Sequence, residues 1–260
     1  MKLTEKLRLW HRAWRFVTRT EKHEIALVRS VVRRGELVLD IGAHKAGFTY
    51  WMSKSVGPTG HVIAFEPIPH LANYLREVAR VVNGGSIEVV ETALSDSIGT
   101  ADLYFPGPHL GCASLETKQT MLQDPVTVPT TTLDRFMAER NDERRISFLK
   151  CDVEHHELAV FEGATETLAK HKPIMLFESG NLHNGSDHYT PVFELLSSLG
   201  YTGHFFNGAK LVHIDDFDAQ QHDAPDDGYQ NFLFSHPSQT RWEVLRRPFI
   251  ATNVSMKAAA

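Results

Sequence analysis

The chain has 260 residues, 42% hydrophobic and 23% charged, an ordinary globular composition with enough chain for a full core. A formal net charge of −5 argues against an unspecific nucleic-acid coat, and two cysteines, Cys112 and Cys151, make no disulfide framework. No apolar run approaches the roughly 20 residues of a membrane span and no signal peptide is visible, so the expected compartment is the cytoplasm.

Residues 1–35 read as a helical extension packed on the core, 36–240 as the main domain and 241–260 as a tail. Within the first 22 residues, Lys2, Lys6, Arg8, Arg12, Arg15, Arg19 and Lys22 face only Glu5 and Glu21. Leu3, Leu7, Trp10, Trp14 and Val17 recur at helical steps. Their stripe is expected to pack on the chain's own domain or on a second subunit, which leaves a homo-oligomer open. The competing reading is a basic amphipathic helix lying on a membrane surface or an anionic partner. A second helix is expected over Lys22–Arg34, stopped by Gly35.

Leu37–Thr49, LVLDIGAHKAGFT, is a buried strand that turns sharply at glycine into a helix running to Val56. His61–Pro67 is a second strand, and Pro69 suits the first turn of the next helix. Ile87–Val90 is a third. This alternation predicts an α/β, doubly wound, mostly parallel sheet. Thr100–Phe105 reads as an extra strand, and Phe105–Pro125 as a loop or lid over the sheet edge. Val126 and Val128 alternate as a strand does, and Thr131 or Thr132 caps a short helix. Ile146–Val153 is a buried strand, followed by one helix carrying Leu158, Phe161 and Leu168. Pro173–Glu178 is another strand, Thr190-Pro191 opens a helix to Leu199, and Tyr201–Phe206 and Asn231–Phe234 close the sheet around a loop at Asp215–Asp227.

Four buried strands end in an acid: Asp40, Glu66, Asp152 and Glu178. Parallel strands share one carboxyl rim, where α/β sheets bind ligands. Glu66, at the end of the second strand, can accept both hydroxyls of a ribose. The first turn, Gly42-Ala43-His44-Lys45-Ala46-Gly47, lacks the middle glycine of a dinucleotide site. Asp40 repels a pyrophosphate and suits a cationic amine. Ribose, ammonium and sulfonium together describe S-adenosylmethionine.

VLDIGAHKAGFTYW, VIAFEPIPHLANYL, VVETALSDSIGTADLYF, VPTTTLDRF and ISFLKCDVEHHELAVFEGATETL with KPIMLFES resemble the FkbM-type methyltransferases. The resemblance spans about Val31 to Phe206. It implies the Rossmann-like class I fold, a seven-stranded sheet with one antiparallel strand and helices on both faces. It also implies O-methylation of a hydroxyl on a small molecule such as a sugar or polyketide, releasing S-adenosylhomocysteine. The first corner would hold the cofactor with Asp40, Gly42, Ala43, His44, Phe48 and Thr49. The second strand would add Glu66 and Pro67, and Asp152 would help orient the ligand, with Ser95-Asp96 near the adenine. Ala46 and His155 stand where the family usually has glycine.

An alcohol acceptor needs a base, and His155, His156, Asp152 and Glu154 are the candidates, the first three preferred. One of the adjacent histidines must point away. Asp152, Glu154, His155, His156 and Glu178 also admit a magnesium reading, while a zinc-protease pattern fails at Val160. The expectation is no metal. The rival functions are a nicotinamide-dependent oxidoreductase, disfavoured by the glycine spacing, and a cofactor-binding module without catalysis. Substrate selectivity is expected in Phe105–Pro125 and Leu182–Thr190, with His183, Asp187 and His188 as helix cap or substrate contacts.

Overall fold

The computed structural model describes residues 3–104, 125–140, 142–180, 188–208, 210–218, 229–239 and 241. Nearly all of the expected 105–125 lid, residues 182–187 with His183 and Asp187, most of the Asp215–Asp227 loop and the tail past Arg241 lie outside the described residues.

The N-terminal extension forms α1 (Leu3–Arg15), one π-helical turn (Phe16–Thr20) and α2 (Lys22–Val31). Helix α2 stops four residues before Gly35. Val32 is already extended at ψ 132°, and Arg241 donates to the freed Val31 carbonyl at 2.7 Å. The wound core then follows: β1 (Leu37–Ile41), α3 (Gly47–Val56), β2 (His61–Phe65), α4 (Pro69–Ala79) and β3 (Ser86–Val90). Next come β4 (Ala93–Leu94), β5 (Gly99–Leu103), β6 (Val126–Thr131), α5 (Leu133–Ala138) and β7 (Ile146–Cys151). Thr132 caps α5, its hydroxyl accepting from Arg135 N–H at 3.0 Å. After β7 come α6 (Glu157–Glu162), α7 (Thr165–His171), β8 (Ile174–Gly180), α8 (Tyr189–Ser198), β9 (Thr202–Asn207), β10 (Lys210–His213) and β11 (Tyr229–Ser235).

The main sheet has eight strands in the order β10-β9-β11-β8-β7-β1-β2-β3, and β4-β6-β5 make a separate three-stranded sheet. Strands β3, β2, β1, β7 and β8 run parallel. β11 runs against β8 and β9, and β10 against β9. The α/β class stands, with eight strands instead of seven and two antiparallel strands instead of one. The extra strand is β10. Asn207-Gly208, with Gly208 at φ +59°, turns the chain back so that Lys210 pairs with Asn207, and Asn-Gly is a strong hairpin signal.

Two helix boundaries also differ. The single helix expected after β7 breaks into α6 and α7 because Gly163 packs on the backbone of Ser95, where a Cβ would lie 2.1 Å from the carbonyl oxygen. Helix α8 begins at Tyr189, so Thr190 and Pro191 sit inside its first turn, where a proline forfeits no hydrogen bond.

Alternation along the strands sends Leu39, Leu149, Met175 and Phe177 to one face of the sheet. Val38, Phe148, Ile174, Leu176 and Leu233 go to the other, beneath α2 and α3. Asp40, Lys150, Glu178 and Asn231 share the second periodicity. They form a polar row at the carboxyl end of an otherwise apolar layer, with Asp40 in register with Lys150 and Glu178 with Asn231.

Candidate active site

At the end of β1 the chain turns at Gly42, φ +77°, and the N–H groups of Gly42 and Ala43 donate to Phe65 O at 3.1 and 3.0 Å. The turn is thereby pinned to the end of β2. A Cβ on Gly42 would lie 1.9 Å from the Asp152 carbonyl oxygen, so only glycine fits between the ends of β1 and β7. His44 and Ala46 are left-handed at φ 44° and 65°. The methyl of Ala46 is buried with Leu9, Leu75 and Val78, so alanine keeps a conformation that favours glycine by filling a pocket. Gly47 then leaves room for the Phe16 ring, which a Cβ there would meet at 2.4 Å.

Glu66 is buried, and its two carboxylate oxygens are aimed by two backbone donors, His44 N–H at 2.8 Å and Ile68 N–H at 3.0 Å. Burial pushes its pKa up to about 7 against the pull of those bonds. Each oxygen keeps a lone pair for a vicinal diol. Asp40 is 1% exposed; its Oδ2 accepts from Thr49 Oγ1, and its Oδ1 has no partner among the described residues. His44 Nε2 is likewise buried without a partner, and burial beside Lys45 lowers its pKa to about 4, so the ring is neutral. Buried polar atoms seek partners. Gly42, His44 and Glu66 therefore fit a ligand that carries a ribose, with the acid of Asp40 buried behind them.

Lys150 is the residue that pattern reading passed over. It is 3% exposed, near the carboxyl end of β7, and its Nζ donates to Asp152 Oδ2 at 2.6 Å. It also stands 4.9 Å from the centre of the Phe48 ring. Burial alone would lower its pKa; the carboxylates of Asp152 and Asp40 outweigh that and raise it. The only legible signal was a lysine inside the apolar run ISFLKC. Glu178 lies in the same row, its pKa raised to about 9 by burial and by Asp152. Glu21, just before helix α2, and Glu24 in its first turn meet the row, each with a carboxylate oxygen 3.5 Å from Asn231 Nδ2. Burial, then Glu21, raises Glu24 to about 7.

A cleft of about 690 Å³ opens beside this corner. Of the residues expected at the site, Gly42, His44, Glu66, Pro67, Asp152 and His156 line it, with Thr92, Ala93 and Leu94 on its far wall. Asp40, Ala43, Phe48 and Thr49 are buried behind it as support. Ser95 and Asp96 do not line it either. Ser95 Oγ contacts His156 Nε2 at 3.0 Å and donates to Asp96 Oδ1 at 3.2 Å, which fixes the His156 ring on the wall. The adjacent histidines separate as their geometry requires. His155, at φ 76°, is not among the residues that line the cleft, and its ring lies 5.1 Å from that of His188 at a tilt of 50°. No group of three or more His, Cys, Asp or Glu side chains among the described residues is arranged to hold a metal ion. The residues of the magnesium reading are thus not gathered as a ligand set.

The model of the methyltransferase FkbM domain matches residues 40–202, more than half of the chain. The chain belongs to the FkbM methyltransferase domain family. The matched span starts at Asp40 and runs through Glu66, Asp152 and Glu178. Among solved structures, the chain is similar to a methyltransferase FkbM from Methylobacillus flagellatus KT, at 17% identity and a TM-score of 0.47, covering 77% of this chain and 43% of that one. The chain therefore spans less than half the length of that relative. A putative rRNA methylase from Clostridium thermocellum aligns at 9% identity and a TM-score of 0.48, over 83% of this chain and 93% of that one. Aeropyrum pernix fibrillarin, solved with natively bound S-adenosyl-L-methionine, aligns at 16% identity and a TM-score of 0.46, over 82% and 74%. No curated protein matches. No helix among the described residues is long and apolar enough to cross a membrane.

Proposed function

We propose that the protein transfers a methyl group from S-adenosylmethionine to a hydroxyl oxygen of a small molecule. The observation that carries this reading is Glu66 on the wall of the cleft, its two carboxylate oxygens aimed by His44 and Ile68 N–H groups beside the Gly42 turn. A ribose diol satisfies it, and the buried Asp40 behind the turn adds negative charge on the side where an ammonium would lie. The cofactor, when bound, supplies an electrophilic methyl carbon on a sulfonium.

The chain's own groups do the rest. Asp152 borders the cleft with Oδ2 held by Lys150, which leaves Oδ1 to receive the acceptor hydroxyl and the proton it sheds. Lys150 fixes that carboxylate's rotamer and balances its charge. His156 borders the same space, but its Nε2 is engaged by Ser95, so it shapes the wall. Glu66, Asp152 and Glu154 line the mouth with carboxylates, which accept from hydroxyls and repel a phosphate backbone. The acceptor is accordingly a hydroxyl compound, not a nucleic acid.

Two experiments test this. In calorimetry, S-adenosylhomocysteine binds and NAD does not; the reverse result would sink the cofactor assignment. In transfer from labelled S-adenosylmethionine to pooled sugars, polyols and metabolite extracts, the label survives mild alkali, as an ether does. Label released as methanol would mean carboxyl methylation.

A further inference from the structure

Helix α1 buries the wrong side for a helix whose tryptophans belong to its own domain. Leu9 and Ala13 are buried, 1% and 3% exposed. Arg12 donates to Lys45 O at 2.9 Å, and the Trp51 indole N–H donates to Ala13 O at 3.0 Å. These contacts hold α1 rigidly against α3 and the cofactor turn. The apolar stripe points elsewhere: Leu3, Leu7, Trp10 and Trp14 are 71%, 53%, 56% and 44% exposed. At about 100° per residue, the stripe lies roughly 110° around the helix from Leu9 and Ala13. The expectation that it packs on the chain's own domain is therefore corrected.

We infer that this stripe docks the protein on an anionic lipid surface. The helix carries Lys6, Arg8, Arg12 and Arg15 against Glu5 alone, in a chain whose net charge is −5. Arg8 and Arg15 flank the stripe on one side and Lys6 on the other. Arg8, His11 and Arg15 lie together beside Leu7 on this side of the helix, where they can meet lipid phosphates. Two tryptophans and two leucines on one edge, bordered by arginines, are what an interfacial helix presents to headgroups and upper acyl chains.

The same charges disfavour the other occupants. In a two-fold contact between copies, the Arg8 and Arg15 side of one stripe would face the same side or the Lys6 side of the other, basic against basic in either case. The segment after Arg241 carries Arg246, Arg247 and Lys257 against Glu243, so it too is repelled. Docking leaves the rest of the molecule unchanged, because α1 is already held in place. It puts the bilayer next to the helix that hydrogen-bonds the His44–Ala46 turn.

The test uses the full chain in sedimentation with vesicles of phosphatidylcholine alone or one third phosphatidylglycerol. The protein is expected on the anionic vesicles only, with a blue-shifted tryptophan emission and weaker binding at high salt. Arg8→Gln and Arg15→Gln should each lower the partition coefficient about fivefold, equivalent to ~1 kcal/mol per basic residue at such a surface. Trp10→Ser with Trp14→Ser should lose binding altogether, while the thermal shift with S-adenosylhomocysteine stays as in the parent, which shows that the variant is folded. Equal binding to both vesicle types, binding that survives the double tryptophan variant, or a dimer in light scattering that this variant dissolves would each overturn the inference. The last would assign the stripe to a second copy.

Discussion

Replacing Lys150 by methionine removes the one cation buried in the row of Asp40, Asp152 and Glu178. Methionine matches the length of the lysine stem, so the packing against Phe48 largely survives and the charge is what changes. Lys150 is 3% exposed and sits 2.6 Å from Asp152, whose side chain is 32% exposed. Removing one member of a buried pair costs about 3–5 kcal/mol because the partner's charge is stranded. Asp152 can rehydrate at the cleft, so the lower end, about 3 kcal/mol, is expected. At about 2–4 °C per kcal/mol for a chain of this size, the melting temperature falls by roughly 10 °C.

Asp40 cannot rehydrate. Burial already raises its pKa and Lys150 holds it down. In Lys150→Met it takes up a proton and the negative charge behind the Gly42 turn is lost, so S-adenosylhomocysteine affinity falls and recovers as pH rises. Calorimetry from pH 6 to 9 reads the affinity, and thermal unfolding reads the stability. Adding Asp152→Asn should restore most of the lost stability, because no stranded charge is left at the cleft. Strictly additive effects, or a Lys150→Met protein that melts and binds like the parent at every pH, would refute the assignment of Lys150 as counter-ion of the site.

Three further outcomes are expected. Gly42→Ala combines a left-handed alanine with a methyl 1.9 Å from the Asp152 carbonyl, so the corner must open; stability falls by about 3 kcal/mol or more and cofactor binding is lost, both visible in a thermal-shift assay. His155→Gly relaxes a left-handed backbone at φ 76° outside the cleft and should raise the melting temperature by an amount corresponding to ~1 kcal/mol, with S-adenosylhomocysteine affinity unchanged; a lost affinity would return His155 to the site. Glu157 is 2% exposed, accepts from Val153 N–H at 3.1 Å and is raised by burial to about 8. Its folded pKa lies above its unfolded value, so its contribution to stability is full below about pH 4.5 and is lost as pH rises through about 8. Glu157→Gln keeps the acceptor without the charge; it should melt with the parent at pH 5 and above it at pH 9, and a constant offset at both would contradict the burial of that charge.

The sequence by itself determined the winding and the ligand corner. Apolar runs of strand length, each broken by glycine or proline and followed by a helical period, leave few arrangements besides a parallel sheet. An acid that closes such a run has nowhere to lie but the carboxyl rim, so Asp40, Glu66, Asp152 and Glu178 were readable one strand at a time. β10 was missed, although Asn207-Gly208 carries the local signal of a hairpin. What a single strand cannot show is its neighbours. Lys150 became part of the site only when β7 was laid beside β1 and under Phe48, because the partners that keep a buried lysine charged come from three different elements. His155 and His156 are equivalent along the chain and were separated by one left-handed turn. The stripe of α1 has the same period whichever way it points, and only the docking of Leu9, Arg12 and Ala13 against the cofactor turn, α3 and α4 left Trp10 and Trp14 facing outward. Local pattern sets which residues share a face; what that face meets is decided by contacts between residues far apart in the chain.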